Sequence, residues 1–145
     1  MADTANIVLR TMINGYRNVV VRASLVSDGS GLTAYKLYDA SSAGIYSVIA
    51  PGGQIVYPGI HSKLVGLDYD VQDMKINLLW DATTPESILA LGSAPEDFDW
   101  KRMGGLPVPP GLVGATGSIL ITTINQAPQS TFALILYIRK NVPQT

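Results

Sequence analysis

The sequence contains no cysteine, which excludes disulfides, thiolate metal sites and a cysteine nucleophile together. It contains a single histidine, His61, so a two-histidine metal site is excluded and histidine-assisted catalysis has no spare base. Charged residues make up only 14% of the 145 residues, while hydrophobic residues make up 47%. A domain this small has much surface to keep wet, so a shortage of charge points either to surface covered by other subunits or to a neutral Ser/Thr/Gly-rich β surface. The net charge of -1 gives no overall basic footprint for nucleic acid or an anionic membrane. No apolar run approaches the roughly 20 residues needed to cross a bilayer. Residues 1–8 show no basic segment followed by an apolar one, so no secretion signal is expected. Helix signals are scarce too. Thr84-Pro85-Glu86 starts like a helix, but Gly92 and Pro95 follow so closely that one turn or a short strand is all that fits.

What the sequence does have is alternation. In Asn18 to Val26, Val19, Val21, Ala23 and Leu25 share one parity, with Val20, Arg22, Ser24 and Val26 on the other. Ser27-Asp28-Gly29-Ser30-Gly31 then reads as a tight turn before a second strand, Leu32 to Tyr38. Val65, Leu67, Tyr69 and Val71 form another inward row, and Met74, Ile76, Leu78 and Trp80 resume on the opposite parity. A switch of faces requires a turn or a bulge near Gln72 and Asp73. Ser118 to Ile124 and Thr131 to Arg139 are β-branched-rich and read as a hairpin. The second is apolar on both faces, as a central strand or one covered by another subunit would be. The expected fold is therefore all-β: a single-domain antiparallel β-sandwich over residues 18–145, with jelly-roll-like ordering, preceded by an extended N-terminal arm at 1–17.

Two loops concentrate structure-breaking residues, Ala50-Pro51-Gly52-Gly53 and Met103 to Gly111. The second is long and partly apolar, fitting either a loop laid on a neighbour or an ordinary surface loop. The arm is apolar beyond the needs of a free tail. Ile7, Val8, Leu9, Met12 and Ile13 of the arm, and Leu106, Pro107, Val108, Pro109 and Pro110 of the loop, are the expected partner contacts.

No constellation assembles a reaction, so the chain reads as non-enzymatic, with no catalytic residue, metal or cofactor expected. His61 reads as a polar loop residue. Gly29-Ser30-Gly31 is a turn and not a nucleophile elbow. Asp68, Asp70 and Asp73 lack the glycine and terminal glutamate of a calcium loop, and Glu96, Asp97 and Asp99 have no second motif to make a glycosidase pair. Gly114-Ala115-Thr116-Gly117-Ser118 lacks the lysine of a phosphate loop. Phe98 and Trp100 alternate with acids, which suits anchors to the core or a partner better than nucleic-acid stacking. Eight of the eleven acids fall between Asp68 and Asp99, whereas Arg10, Arg17 and Arg22 lie near the start. That asymmetry could pair subunits, although surface charges are ordinarily solvated.

Met74-Lys75-Ile76-Asn77-Leu78-Leu79-Trp80-Asp81-Ala82-Thr83-Thr84, Ala94-Pro95-Glu96-Asp97-Phe98-Asp99-Trp100, Gly104-Gly105-Leu106, Thr116-Gly117-Ser118-Ile119-Leu120-Ile121-Thr122-Thr123 and Ile135-Leu136-Tyr137-Ile138-Arg139-Lys140-Asn141 cover the second half of the chain. Together they resemble small virion structural proteins of tailed bacteriophages. The first half matches in general character only, around Thr33-Ala34-Tyr35-Lys36-Leu37-Tyr38-Asp39. The resemblance implies a head decoration (cement) protein, a β-sandwich or jelly roll made in the host bacterial cytoplasm. Such proteins sit as trimers on the outer surface of the capsid and clamp neighbouring major capsid protein subunits. A head fibre base or tail component has the same look. A lectin-like module is a further alternative, with Tyr35, Tyr38, Tyr46 and Tyr57 as stacking platforms.

Overall fold

The computed structural model describes residues 2–15, 17–41, 46–49, 51–92 and 95–141. Met1 and Tyr16 of the expected arm, and residues 42–45, 50, 93–94 and 142–145 of the expected sandwich, lie outside them. A single helical turn, α1 (Asp3–Asn6), precedes the strands β1 (Val8–Asn14), β2 (Asn18–Asp28), β3 (Tyr35–Tyr38), β4 (Val48–Ile49), β5 (Ile55–Val56), β6 (Lys63–Gln72), β7 (Lys75–Trp80), β8 (Glu86–Leu91), β9 (Pro95–Asp99), β10 (Leu106–Pro107), β11 (Ile119–Ile124) and β12 (Pro128–Arg139).

The alternating strands do what their period dictates: each puts one parity inward, and two sheets bury those rows against each other. The larger sheet runs β1-β2-β12-β6, with β9 and β10 both paired to the far side of β6. The smaller runs β3-β11-β7-β8, and β4 and β5 form a separate two-stranded ribbon. Every pairing among the described residues is antiparallel. The all-β expectation is met.

Val19, Val21, Ala23, Leu25, Leu67, Val71, Phe132, Leu134, Leu136 and Ile138 from the larger sheet meet Leu37, Tyr38, Ile76, Leu78, Trp80, Ile119 and Ile121 from the smaller in one core. Each large apolar side chain removed from water there contributes about 1.5–3 kcal/mol.

The face switch near Asp73 is a turn that carries the chain from one sheet to the other. Asp73 adopts a left-handed φ of 61°, so β6 belongs to the larger sheet and β7 to the smaller. The hairpin expected between residues 118–124 and 131–139 does not form. β11 pairs with β3 and β7, while β12 inserts between β2 and β6. The reason is local. Asn125 and Gln129 take positive φ angles of 57° and 78°, which turn the chain across the gap between the sheets. Ser130 then ties the two crossings together, its hydroxyl donating to the Asp73 carbonyl at 2.9 Å and accepting from the Ala127 N–H at 3.0 Å. β12 is central in its sheet, and on its outward face Ile135 and Tyr137 are half-buried between their cross-strand neighbours.

In the segment expected to extend as an arm, residues 1–17, the described residues instead run along the sandwich. β1 pairs with β2 as the edge strand, and α1 packs at the end of β2. The Asp3 carboxylate is fully buried, accepting from the Ser27 hydroxyl at 2.6 Å and from the N–H groups of Asp28 and Gly31 at 2.9 and 2.7 Å. Three donors satisfy a charge that burial alone would make costly.

The strand partners nest. β2 pairs with β12, β3 with β11, β6 with β9 and β7 with β8. The chain is thus folded like one long hairpin wrapped into two sheets.

Candidate interaction face

By register, three transverse rows of the larger sheet's outward face run from β1 to β9, and a further row, Asn18, Arg139 and Lys63, lies beyond them. Side chains directly opposite across antiparallel neighbours lie about 5 Å apart and interact. The first row is Val8, Ser24, Ala133, Asp70 and Pro95. The second is Arg10, Arg22, Ile135, Asp68 and Asp97, and the third is Ile13, Val20, Tyr137, Gly66 and Asp99. Across these three rows the β1–β2 side is basic and apolar, the middle is apolar, and the β6–β9 side is acidic.

In the second row like charges stand directly opposite each other twice, Arg10 against Arg22 and Asp68 against Asp97. Such pairs destabilise a sheet. The ion pair resolved among the described residues, Lys36 with Asp39 at 3.9 Å, lies on the other sheet. Asp68 is partly compensated: the Tyr137 hydroxyl donates to its Oδ2 at 2.7 Å. That hydrogen bond to a carboxylate, with some burial, raises the Tyr137 pKa. Gly66 makes room for the ring, since a Cβ there would lie 3.2 Å from Tyr137 Cδ2.

Beneath the acidic edge, on the inward parity, Tyr69, Phe98 and Trp100 stack in sequence, with centroids 6.0 and 5.3 Å apart. Phe98 and Trp100 pack against the core, so they anchor the edge to its own domain. Burial and the neighbouring Glu96 carboxylate raise the Tyr69 pKa.

The expected contact segments divide. In β1 all seven residues are exposed, with Val8 at 50%, Met12 at 55% and Ile13 at 55%. Leu9 is exposed beside them, while Ile7 packs against the core. The loop is laid mainly on its own chain. Leu106 and Pro107 pair with Leu64 and Lys63 as β10, Leu106 packs on the core and Val108 lies within it. Gly105 allows this close approach, because a Cβ there would come within 2.8 Å of Val65 Cγ1. Pro109 is half-buried, and Pro107 and Pro110 are exposed.

The other candidates separate as structure. His61 sits in a helical turn, Gly59–His61, and its carbonyl accepts from Asn141 Nδ2 at 2.8 Å. Asp73 occupies the turn between sheets, away from the row that holds Asp68, and no cluster of three or more His, Asp or Glu suited to a metal stands among the described residues. Ser30 closes its own turn, its hydroxyl and N–H both donating to Asp28 Oδ1 and holding the Asp28 pKa down to about 2. Thr116 donates to Asp81, which fastens the Gly114 to Ser118 turn. Tyr38 and Tyr46 are buried with centroids 5.0 Å apart, so they offer no stacking platform.

The row pairing Arg10 and Arg22 with Asp68 and Asp97 is absent from the expected contacts. Parity places Arg22 and Asp68 outward, but a shift in register between Thr11 and Ile13 decides where Arg10 falls. That alignment cannot be obtained from spacing. No protein-family model, curated protein or solved structure matches this chain.

Proposed function

We propose that the protein is a non-enzymatic decoration (cement) protein of a tailed-phage head, acting as an oligomer on the outer surface of the capsid and stabilising contacts between major capsid protein subunits. The observation that carries the reading is β1, an edge strand with all seven residues exposed, three of them large apolar side chains at half exposure or more. A long exposed edge is one that proteins ordinarily cover or blunt. An apolar strip of this kind suits burial in an assembly.

The nested strand pairing supports the same reading. We infer that it is a jelly roll, an architecture of viral capsid and lectin domains. The motifs in the second half of the chain that resemble phage virion proteins fall on β7, β9, β11, β12 and the turns beside them. They lie in both sheets, so the resemblance extends across the sandwich.

On this reading the work is done by burial. Many equivalent weak contacts, repeated over a symmetric shell, add through multivalency without any single tight site. The test is the composition of purified virions. The chain is expected in stoichiometric amounts, labelled by antibody on the head surface. Absence from the head overturns the reading, and labelling at the tail replaces it with a tail role.

A further inference from the structure

We propose that the two edges of the larger sheet are complementary halves of one contact between copies of this chain, the β1–β2 edge of one copy meeting the β6–β9 edge of the next. The proposal deepens the assembly reading above and rests on it for the presence of neighbouring copies.

Within one copy, like charges stand side by side on both edges of the larger sheet. Arg10 faces Arg22 and Asp68 faces Asp97 in the same transverse row. β12 separates the two pairs, so Arg22 and Asp68 stand two strand spacings, roughly 10 Å, apart. At physiological salt that distance is about one Debye length, and exposed charges so placed barely compensate each other. A second copy brings each pair the opposite sign at contact distance.

Geometry favours this arrangement over its reverse. Along the order β1-β2-β12-β6-β9 every neighbour is antiparallel, so β1 and β9 run in the same direction. Copies related by rotation about an axis along the strands keep their rows aligned, and the arginine row of one continues into the aspartate row of the next. Such a head-to-tail contact closes into a ring when the rotation closes. Val8 and Ile13, exposed on the two flanking rows of β1, come to lie beside the rows of Pro95 and Asp99.

The other charges facing the contact leave its polarity intact. The acidic edge carries Asp68, Asp70, Glu96, Asp97 and Asp99, against Lys63 at the start of β6 and Lys101 and Arg102 in the turn that follows β9. Lys101 shares a cleft of about 150 Å³ with Asp68, Asp97, Asp99 and Tyr137. On the basic edge, a cleft of about 210 Å³ is lined by Val8, Arg10, Arg22 and Ser24, with no carboxylate.

The charge reversals Arg10→Glu and Asp97→Arg test the proposal without endangering the fold, because each turns a like-charge pair inside the chain into an attractive one. Solution mass is measured by light scattering on the full chain, with melting temperature as the control. The wild type is expected to be an oligomer whose mass falls in high salt. Each single reversal is expected to weaken assembly by about a hundredfold or more, since like charges then meet across the contact, while melting as high as wild type. The double variant Arg10→Glu/Asp97→Arg is expected to restore assembly. Single reversals that assemble like wild type overturn the edge contact and leave the decoration reading to the virion experiment. A wild type that stays monomeric, or a folded double variant that does, overturns the edge contact as well.

Discussion

The outward faces of the two sheets differ in how their polar and charged side chains meet. On the smaller sheet, polar groups answer one another at short range: the Ser87 hydroxyl donates to Asn77 Oδ1, and Thr122 Oγ1 accepts from the Ala34 N–H at 3.0 Å. On the larger sheet, Arg10, Arg22 and Asp97 extend from paired strands in a row of like-charge neighbours. Both sheets share one core and one period-two pattern. The difference therefore arises on the outer parity, where stability leaves residue choice free and interaction can use it.

The largest test of that contrast is aimed beneath it. Leu136→Ala, on the inward face of central β12, should cost about 2–5 kcal/mol in urea unfolding. Trp80 reports on the smaller sheet and Trp100 on the larger, and both should lose native fluorescence in one transition. Separate transitions would mean that the two faces rest on different cores.

Alkaline pH gives the next effect. Burial pushes Tyr38 of the smaller sheet up to about 12, while Ser62 Oγ lies 2.8 Å from its hydroxyl. Because its folded pKa exceeds the unfolded value, the neutral form stabilises the fold below about pH 10, and that contribution falls away between pH 10 and 12, by ~2–3 kcal/mol. Tyr38→Phe should remove most of this alkaline loss. Tyr137→Phe on the outer face of the larger sheet should leave most of it in place. Equal effects from both variants would erase the distinction between an inward and an outward tyrosine.

At neutral pH, Tyr137→Phe should cost about 0.5–1.5 kcal/mol for the hydrogen bond to Asp68, measured by denaturant midpoint. Smallest of all, Lys36→Glu on the smaller sheet should change stability by no more than ~0.5 kcal/mol, its exposed pair with Asp39 being worth little. It should also leave solution mass unchanged. A change in mass would show that charge on either face governs association, and would blunt the comparison.

Much of the local structure is legible in the chain. The inward row of β2 and the face switch at Asp73 follow from parity, and the central place of β12 follows from its two apolar faces. Strand partnership is not legible in this way. The run at 118–124 and the run at 131–139 are neighbours in sequence and look like a hairpin, yet their partners lie as far away as β2 and β3. Pairing depends on which distant rows complete a shared core, and parity says nothing about that. The candidate face depends on it twice, through the partners of β12 and through the register shift in β1. Its charges are visible in the sequence, but their alignment into one row is not.

The placement of β12 between β2 and β6 also governs the order of events during synthesis. The strand that fills the middle of the larger sheet is made after both strands it joins. While residues 128–139 are still inside the ribosome, β2 and β6 each present an unpaired edge with an apolar row, the condition under which nascent chains associate wrongly. Pairing between such distant segments is also intrinsically slow. The chain therefore completes its larger sheet only after β12 has emerged, and an interruption upstream of Pro128 should yield aggregate where a chain carried through Arg139 would yield a folded domain.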